Sequence, residues 1–373
     1  MTKQRHRAEN CVAKRRVELK RLKIYFKKMG VALTELLLIK EIDLNFLHNK
    51  VLIVDAPMWL YQFLSSIRQR DGSLLTDSKG NVTSHLMGLL TRVSNLMQQD
   101  IKLAFVFDGE PPKLKHMTLE KRKEIKLEAQ KKFEKAKEKE DLELMKKYAA
   151  RTSRLTEEMI DEAKKLIEGF GLPVISAPSE AEAQASFIVK NEDAFALATN
   201  DADAMLFEAP KIVRNLNMAG KKKRKDKLSY ETITPDLIDL HENLKHLQIN
   251  QEQLIVLAML IGTDYNSGGI KGIGPKTALK LVKNHRTNFE PLFREAKWDD
   301  FFDFSWKEVF ELIKHMPVDN EYNLKWSDVD EEKIVKLLVD KHDFSGERVK
   351  NQIESLIKEK HKKSQKGLGE FFG

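Results

Sequence analysis

Short apolar runs that stop at a carboxylate constrain this chain more than any other feature. VLIVD ends at Asp55, LAFVFDGEPP carries Asp108, FALATNDAD closes on Asp201 and Asp203, LIGTDY carries Asp264, and APSEAEA supplies Glu180 and Glu182. The runs at 51–55, 102–107, 172–176 and 195–199 have the length and apolar content of buried strands, and 212–216 adds another. The stretches 83–99, 156–170 and 179–190 between them read as helices. Strand, helix, strand predicts an α/β fold with a central, mostly parallel sheet flanked by helices. Ligands of an open parallel sheet bind outside the carboxyl ends of its strands, so seven acids beside strand ends predict one acidic pocket. Crowded like charges repel, so the pocket should bind cations. A donor set made only of oxygen selects hard ions, magnesium or manganese.

Each acid also has an ordinary explanation. Ser179 and Glu182 have capping-box spacing, which leaves Glu180 as an acid suited to a helix N-terminus. Asp55 can cap a helix starting near Pro57, and Asp108 can be a turn residue in DGEPP. Asp201 and Asp203 can cap a helix at 202–207; in extended chain they face one side. Needing all of these at once on one sheet edge favours a metal site. Two divalent ions roughly 3.5–4 Å apart can activate water and stabilise the leaving oxygen of a phosphodiester. A glycosidase needs only one carboxylate pair and explains less.

The chain has 373 residues, 41% hydrophobic, enough for a sizeable core in one large domain or two small ones. No apolar run reaches membrane-spanning length. Cys11 is the only cysteine, which excludes a disulfide scaffold and cysteine-ligated zinc and predicts an intracellular setting. The net charge of +8 is local: residues 1–28 hold eleven Lys/Arg and two Glu, which leaves 54 basic and 55 acidic residues for the rest. A nucleic-acid reading must therefore rest on where charge sits in the body.

Three further segments carry information. Residues 113–154 hold fifteen basic and eight acidic residues in a helical composition. Most of those charges suit a solvated helical hairpin, while the positive excess suits a gateway for a polyanion. The run GGIKGIGPKT at 268–277 lies between helices predicted at 251–262 and 275–284. Gly272 and Gly274 let backbone amides approach a phosphate, Lys276 and Thr277 add a charge and a hydroxyl, and the second helix offers its N-terminus. The tail Gln365-Lys366-Gly367-Leu368-Gly369-Glu370-Phe371-Phe372 puts Leu368, Phe371 and Phe372 on one face of a helical turn, a plug for a partner's pocket. KKKRK at 221–225 reads as a basic loop before a helix started by Pro235 and could pass for a nuclear localisation signal.

IVDAPMWLYQFL, TSHLMG, FVFDGEPPKLK, APSEAEA, TNDAD, IGTDY and GIKGIGPKTA occur in an order and spacing that resembles the flap endonuclease family of structure-specific 5′-nucleases, archaeal and eukaryotic type. The resemblance runs from Met29 to the C-terminus. It implies a magnesium-dependent endonuclease of replication and repair that removes 5′ flaps, with 5′→3′ exonuclease side activity. By it, Asp55, Asp108, Glu180 and Glu182 anchor one Mg2+, and Asp201, Asp203 and Asp264 serve a second, with bridging allowed and Mn2+ able to substitute. It makes Lys115 and Arg122, two helical turns apart, the basic pair that works with Asp201 on the scissile phosphate. Tyr61 stacks on the unpaired base, and Gly30, Arg68, Gly272, Gly274, Lys276 and Thr277 contact DNA, with K+ at the helix–hairpin–helix of about 251–285. Residues 113–154 become a helical arch that the flap threads. Gln365, Leu368, Phe371 and Phe372 bind a PCNA-type sliding clamp. The expected partners are branched DNA and the clamp, with no membrane and a monomeric state; the setting is cytoplasmic (nucleoid) if archaeal, nuclear if eukaryotic.

Two departures stand out. Relatives carry Gln or Glu before Asp-Tyr-Asp where this chain has Asn200-Asp201-Ala202-Asp203. Relatives also begin at the Met-Gly seen here as Met29-Gly30, so residues 1–28 read either as a start assigned too early or as a basic arm that binds DNA. That divides the chain into an extension (1–28), a nuclease domain (29–355) and a tail (356–373). A 5′→3′ exonuclease or junction-cutting relative is the rival enzyme, and a non-catalytic clamp-tethered DNA binder is the rival from another class.

Overall fold

In a computed structural model of the chain, residues 32–139, 141–149, 152–216, 220–223 and 230–371 are described. The extension, Cys11 and Gly30 lie outside the described residues, as does Phe372.

The strands are β1 (Lys40–Glu41), β2 (Val51–Asp55), β3 (Lys102–Phe107), β4 (Val174–Ser176), β5 (Ala196–Ala198), β6 (Lys211–Arg214), β7 (Gly220–Lys223), β8 (Tyr230–Ile233) and β9 (Asp236–Asp239). Seven form one sheet in the order β1-β9-β6-β5-β2-β3-β4. β6, β5, β2, β3 and β4 are parallel, as their unbroken apolar runs predict, while β9 and β1 extend the β6 edge antiparallel. β7 and β8 pair as a separate antiparallel ribbon. Residues 221–223 of the basic run thus lie in a strand, and residues 224–225 lie outside the described residues.

The helices are α1 (Ala56–Ser66), α2 (Ser84–Gln98), α3 (His116–Glu138), α4 (Leu142–Ala149), α5 (Glu157–Gly169), α6 (Ala181–Lys190), α7 (Leu240–Leu247), α8 (Gln251–Ile261), α9 (Pro275–His285), α10 (Phe289–Glu295), α11 (Trp306–Lys314), α12 (Glu331–Val335) and α13 (Gly346–Phe371). Alternation along the strands splits the core between the two sheet faces. Leu52, Val54, Phe105 and Phe107 pack with α1, α2 and α5, where Trp59 meets Phe105 edge to face at 5.8 Å. Ile53, Ala104 and Val106 pack with α6, α8 and α9 on the other face. Among the described residues, no helix is long and apolar enough to cross a membrane.

The helix expected from Pro235 begins five residues later. Asp236–Asp239 is strand β9, which pairs with β6 and β1, and Asp239 then caps α7 by accepting from the Glu242 amide at 3.0 Å. Partners remote in sequence decide this segment.

Candidate active site

Parallel pairing puts the carboxyl ends of β2, β3, β4 and β5 on one edge, and the acids collect there. Asp55 is the last residue of β2 and lies opposite Val106 of β3. Its carboxylate caps α1, accepting from the Met58 amide at 3.1 Å. Asp108 follows β3 directly. The loop beyond it runs so close to the chain leaving β4 that a Cβ on Gly109 would sit 2.2 Å from the Ala177 carbonyl oxygen. Gly109 donates to the Ser179 carbonyl at 2.7 Å, and Asp108 accepts from the Ala181 amide at 2.8 Å. These contacts bring Asp108 to Glu180.

The expected capping box is not formed. Ser179 donates to the Glu110 carbonyl at 3.0 Å, and Glu180 occupies the N-cap of α6 without a capping bond. Asp108 takes over a free amide of that helix, which leaves both Glu180 and Glu182 to the pocket. Asp201 does cap the turn at Ala202–Phe207, accepting from the Asp203 amide at 3.0 Å, so the pair is not held in extended chain. Asp264 follows α8.

Two cations from the α3 segment enter this cluster. Lys115 pairs with Glu180 and lies 3.8 Å from Asp264, while Arg122 pairs with Asp264 at 2.5 Å. The Thr118 hydroxyl, between them on the same helix, donates to the Asp264 carbonyl at 2.7 Å. Burial would lower the Lys115 pKa, but Glu180, Asp264 and Asp108 outweigh it and raise it. Burial and the Asp108 charge push Asp55 up to about 7. Burial, then Asp201, Asp55 and Asp203, raise Glu182 well above the carboxylate range. Acids driven towards protonation by burial first and by one another next are short of countercharge on the Asp55 and Glu182 side of the pocket.

That charge pattern fits divalent cations. The donors are all carboxylates, and the Lys115 ammonium already stands where a cation would offset Glu180 and Asp264. Among the described residues, no three acids close on one point as the ligands of a bound ion would.

The other expected residues divide. Tyr61 lies on α1 beside the pocket, near enough to Asp108 and Arg122 for their charges to act on its hydroxyl; Lys126 of α3 sits 4.7 Å from its ring centre. Arg68 is turned inward, donating to the Gly72 carbonyl at 2.8 Å and the Ser153 hydroxyl at 2.7 Å. It ties the 67–82 loop to the chain after the charged helices. Gly272, Gly274, Lys276 and Thr277 are exposed at the start of α9, whose N-cap Gly274 has no capping side chain. Gly272 has φ +92°, the left-handed region that favours glycine. Gln365, Leu368 and Phe371 fall in the last turns of α13, where only the backbone is described.

Two residues have no counterpart in the sequence reading. Asn266, 1% exposed, accepts from the Thr263 amide and hydroxyl and donates to the Met259 carbonyl at 2.7 Å, which shapes the chain between α8 and the glycine turn. Thr199, also 1% exposed, lies between Asp55 and Glu182. A polar residue two positions from an acid in TNDAD and LIGTDYN was the only signal for either.

The XPG N-terminal domain matches residues 27–129 and the XPG I-region matches residues 171–264. Flap endonuclease 1 of Pyrococcus horikoshii is 49% identical over 330 residues, which cover 88% of this chain and 94% of that one. Flap endonuclease 1 of Thermococcus onnurineus is 48% identical over 345 residues, 92% of this chain and 99% of that one. The structure of flap endonuclease-1 from Methanococcus jannaschii superposes with TM-score 0.69 at 38% identity, covering 90% of this chain and all of that one. The catalytic core of Rad2 in complex with DNA substrate shares the fold at TM-score 0.62 and 24% identity, over 85% of this chain and 96% of that one. Identity near one half across almost the full length of these relatives, on an acidic edge of the matching fold, means that the chain belongs to the flap endonuclease family of DNA nucleases.

Proposed function

We propose that the chain cuts branched DNA at the base of a 5′ flap, using two divalent metal ions held by Asp55, Asp108, Glu180, Glu182, Asp201, Asp203 and Asp264. The observation that carries this reading is the meeting of those acids with Lys115 and Arg122 at one end of the parallel strands. A binder of polyanions has no use for a concentrated negative pocket, so the same feature weighs against the non-catalytic alternative.

Magnesium in this pocket would lower the pKa of a water and offset charge on the leaving oxygen. The residues do the rest. Lys115 and Arg122 turn from the carboxylates to the scissile phosphate and stabilise its developing charge. Tyr61 offers a ring for the neighbouring base once Lys126 leaves it. The water oxygen bonds to phosphorus as the 3′ oxygen departs, which leaves a 5′-phosphate on the product. Helices α3 and α4 form the arch that admits the free 5′ end. The exposed start of α9, with K+ at the glycine turn, holds duplex backbone without reading sequence. The tail from Gln365 to Phe372 ties the enzyme to a sliding clamp.

The test compares binding with turnover. EDTA should stop product formation from a 5′-flap substrate while flap DNA stays bound. Cleavage that continues in EDTA would contradict the metal reading.

A further inference from the structure

We propose that Thr199 is a positioning residue: its hydroxyl holds the carboxylates of Asp55 and Glu182 in register for cation binding. The proposal rests on the reading of those two acids as metal ligands.

The pairing of β2 with β5 sets Val54 opposite Ala198, which brings Thr199, the next residue of β5's chain, alongside Asp55. The Thr199 Oγ1 lies 3.0 Å from Glu182 Oε1 and 3.3 Å from Asp55 Oδ2. It also accepts from the Asp201 amide at 3.2 Å. One buried hydroxyl therefore touches three acidic positions that come from β2, α6 and the loop after β5. A hydroxyl has one proton and two lone pairs. The Asp201 amide occupies a lone pair, which orients the proton towards the carboxylates, the nearer Glu182 first. Two carboxylates beside one oxygen repel each other; the Met58 amide holds the far oxygen of Asp55, and the shared hydroxyl links its near oxygen to Glu182. Branching at Cβ restricts χ1, so threonine fixes the direction of its oxygen better than serine. Partners behind a metal's ligands typically contribute 10–100-fold in affinity.

The experiment titrates the full-length protein without DNA with Mn2+ by calorimetry. It compares wild type with Thr199→Val, Thr199→Ser and Glu182→Gln. Thr199→Val should weaken Mn2+ binding about 10–100-fold, and Thr199→Ser should restore it to within about threefold of wild type. Circular dichroism checks folding, and Thr199→Ala takes the place of Thr199→Val if the valine variant fails to fold. Loss in Glu182→Gln but not in Thr199→Val overturns the positioning role alone. Equal losses in the valine and serine variants overturn it too, because packing and not the hydroxyl would then matter. Unchanged Mn2+ binding in Glu182→Gln removes the underlying reading of the pocket, and the proposal with it.

Discussion

Arg122 donates to the Asp264 carboxylate at 2.5 Å, across 142 residues of sequence. With Lys115 against Glu180, it turns the base of the charged helices onto the acidic edge. The two cations thus face the acids and would have to leave them to meet a phosphate. Lys115→Ala and Arg122→Ala should each slow single-turnover flap cleavage about 10²–10³-fold. Flap affinity should change little, because the rest of the DNA surface is intact. Rapid-quench measurements beside binding titrations check this; a loss confined to affinity would contradict it.

Gly272 and Gly274 should separate folding from binding. The backbone at Gly272 is left-handed, whereas Gly274 has φ −92° and nothing within 4 Å of an added Cβ. Gly274→Ala should therefore fold with little change in Tm and yet lose duplex affinity, since its methyl would occupy the space a phosphate needs. Gly272→Ala should lower stability by the cost of left-handed backbone, roughly 1–2 kcal/mol, and Tm with it. Thermal melts and fluorescence anisotropy with duplex DNA distinguish the two.

The chain carries an acid-sensitive link outside the set of pocket acids. His342 bridges Asp77 and Glu162, each at 2.9 Å, and Lys341 also pairs with Glu162. Burial would raise the Glu162 pKa, but contacts with His85, Lys341 and His342 outweigh it and hold it at about 2, below its ordinary 4.5. A depressed carboxylate adds stability that is complete above its unfolded pKa and lost as pH falls through its folded one. Wild-type stability should therefore fall between about pH 4.5 and 2, and Glu162→Gln should flatten that part of the curve. Urea midpoints across this range measure it; parallel curves would contradict the assignment.

Phe371→Ala combined with Phe372→Ala should abolish binding to a PCNA-type clamp and leave clamp-free cleavage unchanged. Surface plasmon resonance against immobilised clamp reads the first and gel assays the second. Unchanged clamp affinity would remove the tail from the account.

Local pattern made the parallel core legible. Strands read at 51–55 and 102–107 occur at those residues, and the helix read at 83–99 spans Ser84–Gln98. Such segments are buried on both faces or one, so composition and period follow position directly. What was not legible depends on remote partners. Asp236–Asp239 is a strand because β6 and β1 flank it. Ser179 does not cap α6 because the Gly109–Glu110 loop engages it and Asp108 takes its place. The acids and their gathering at one sheet edge were legible, but the hydrogen bonds around them were not: Arg68, expected at DNA, bonds to Gly72 and Ser153, and Thr199, which nothing in the sequence singled out, touches two carboxylates.

The most direct test is cleavage of a labelled double-flap DNA in magnesium by wild type beside Asp201→Ala. The account predicts one cut near the flap base by wild type, a 5′-phosphate on the product, and no cut by the variant while it still binds the flap. Undiminished cleavage by Asp201→Ala, or tight flap binding by a wild type that never cuts, would contradict it.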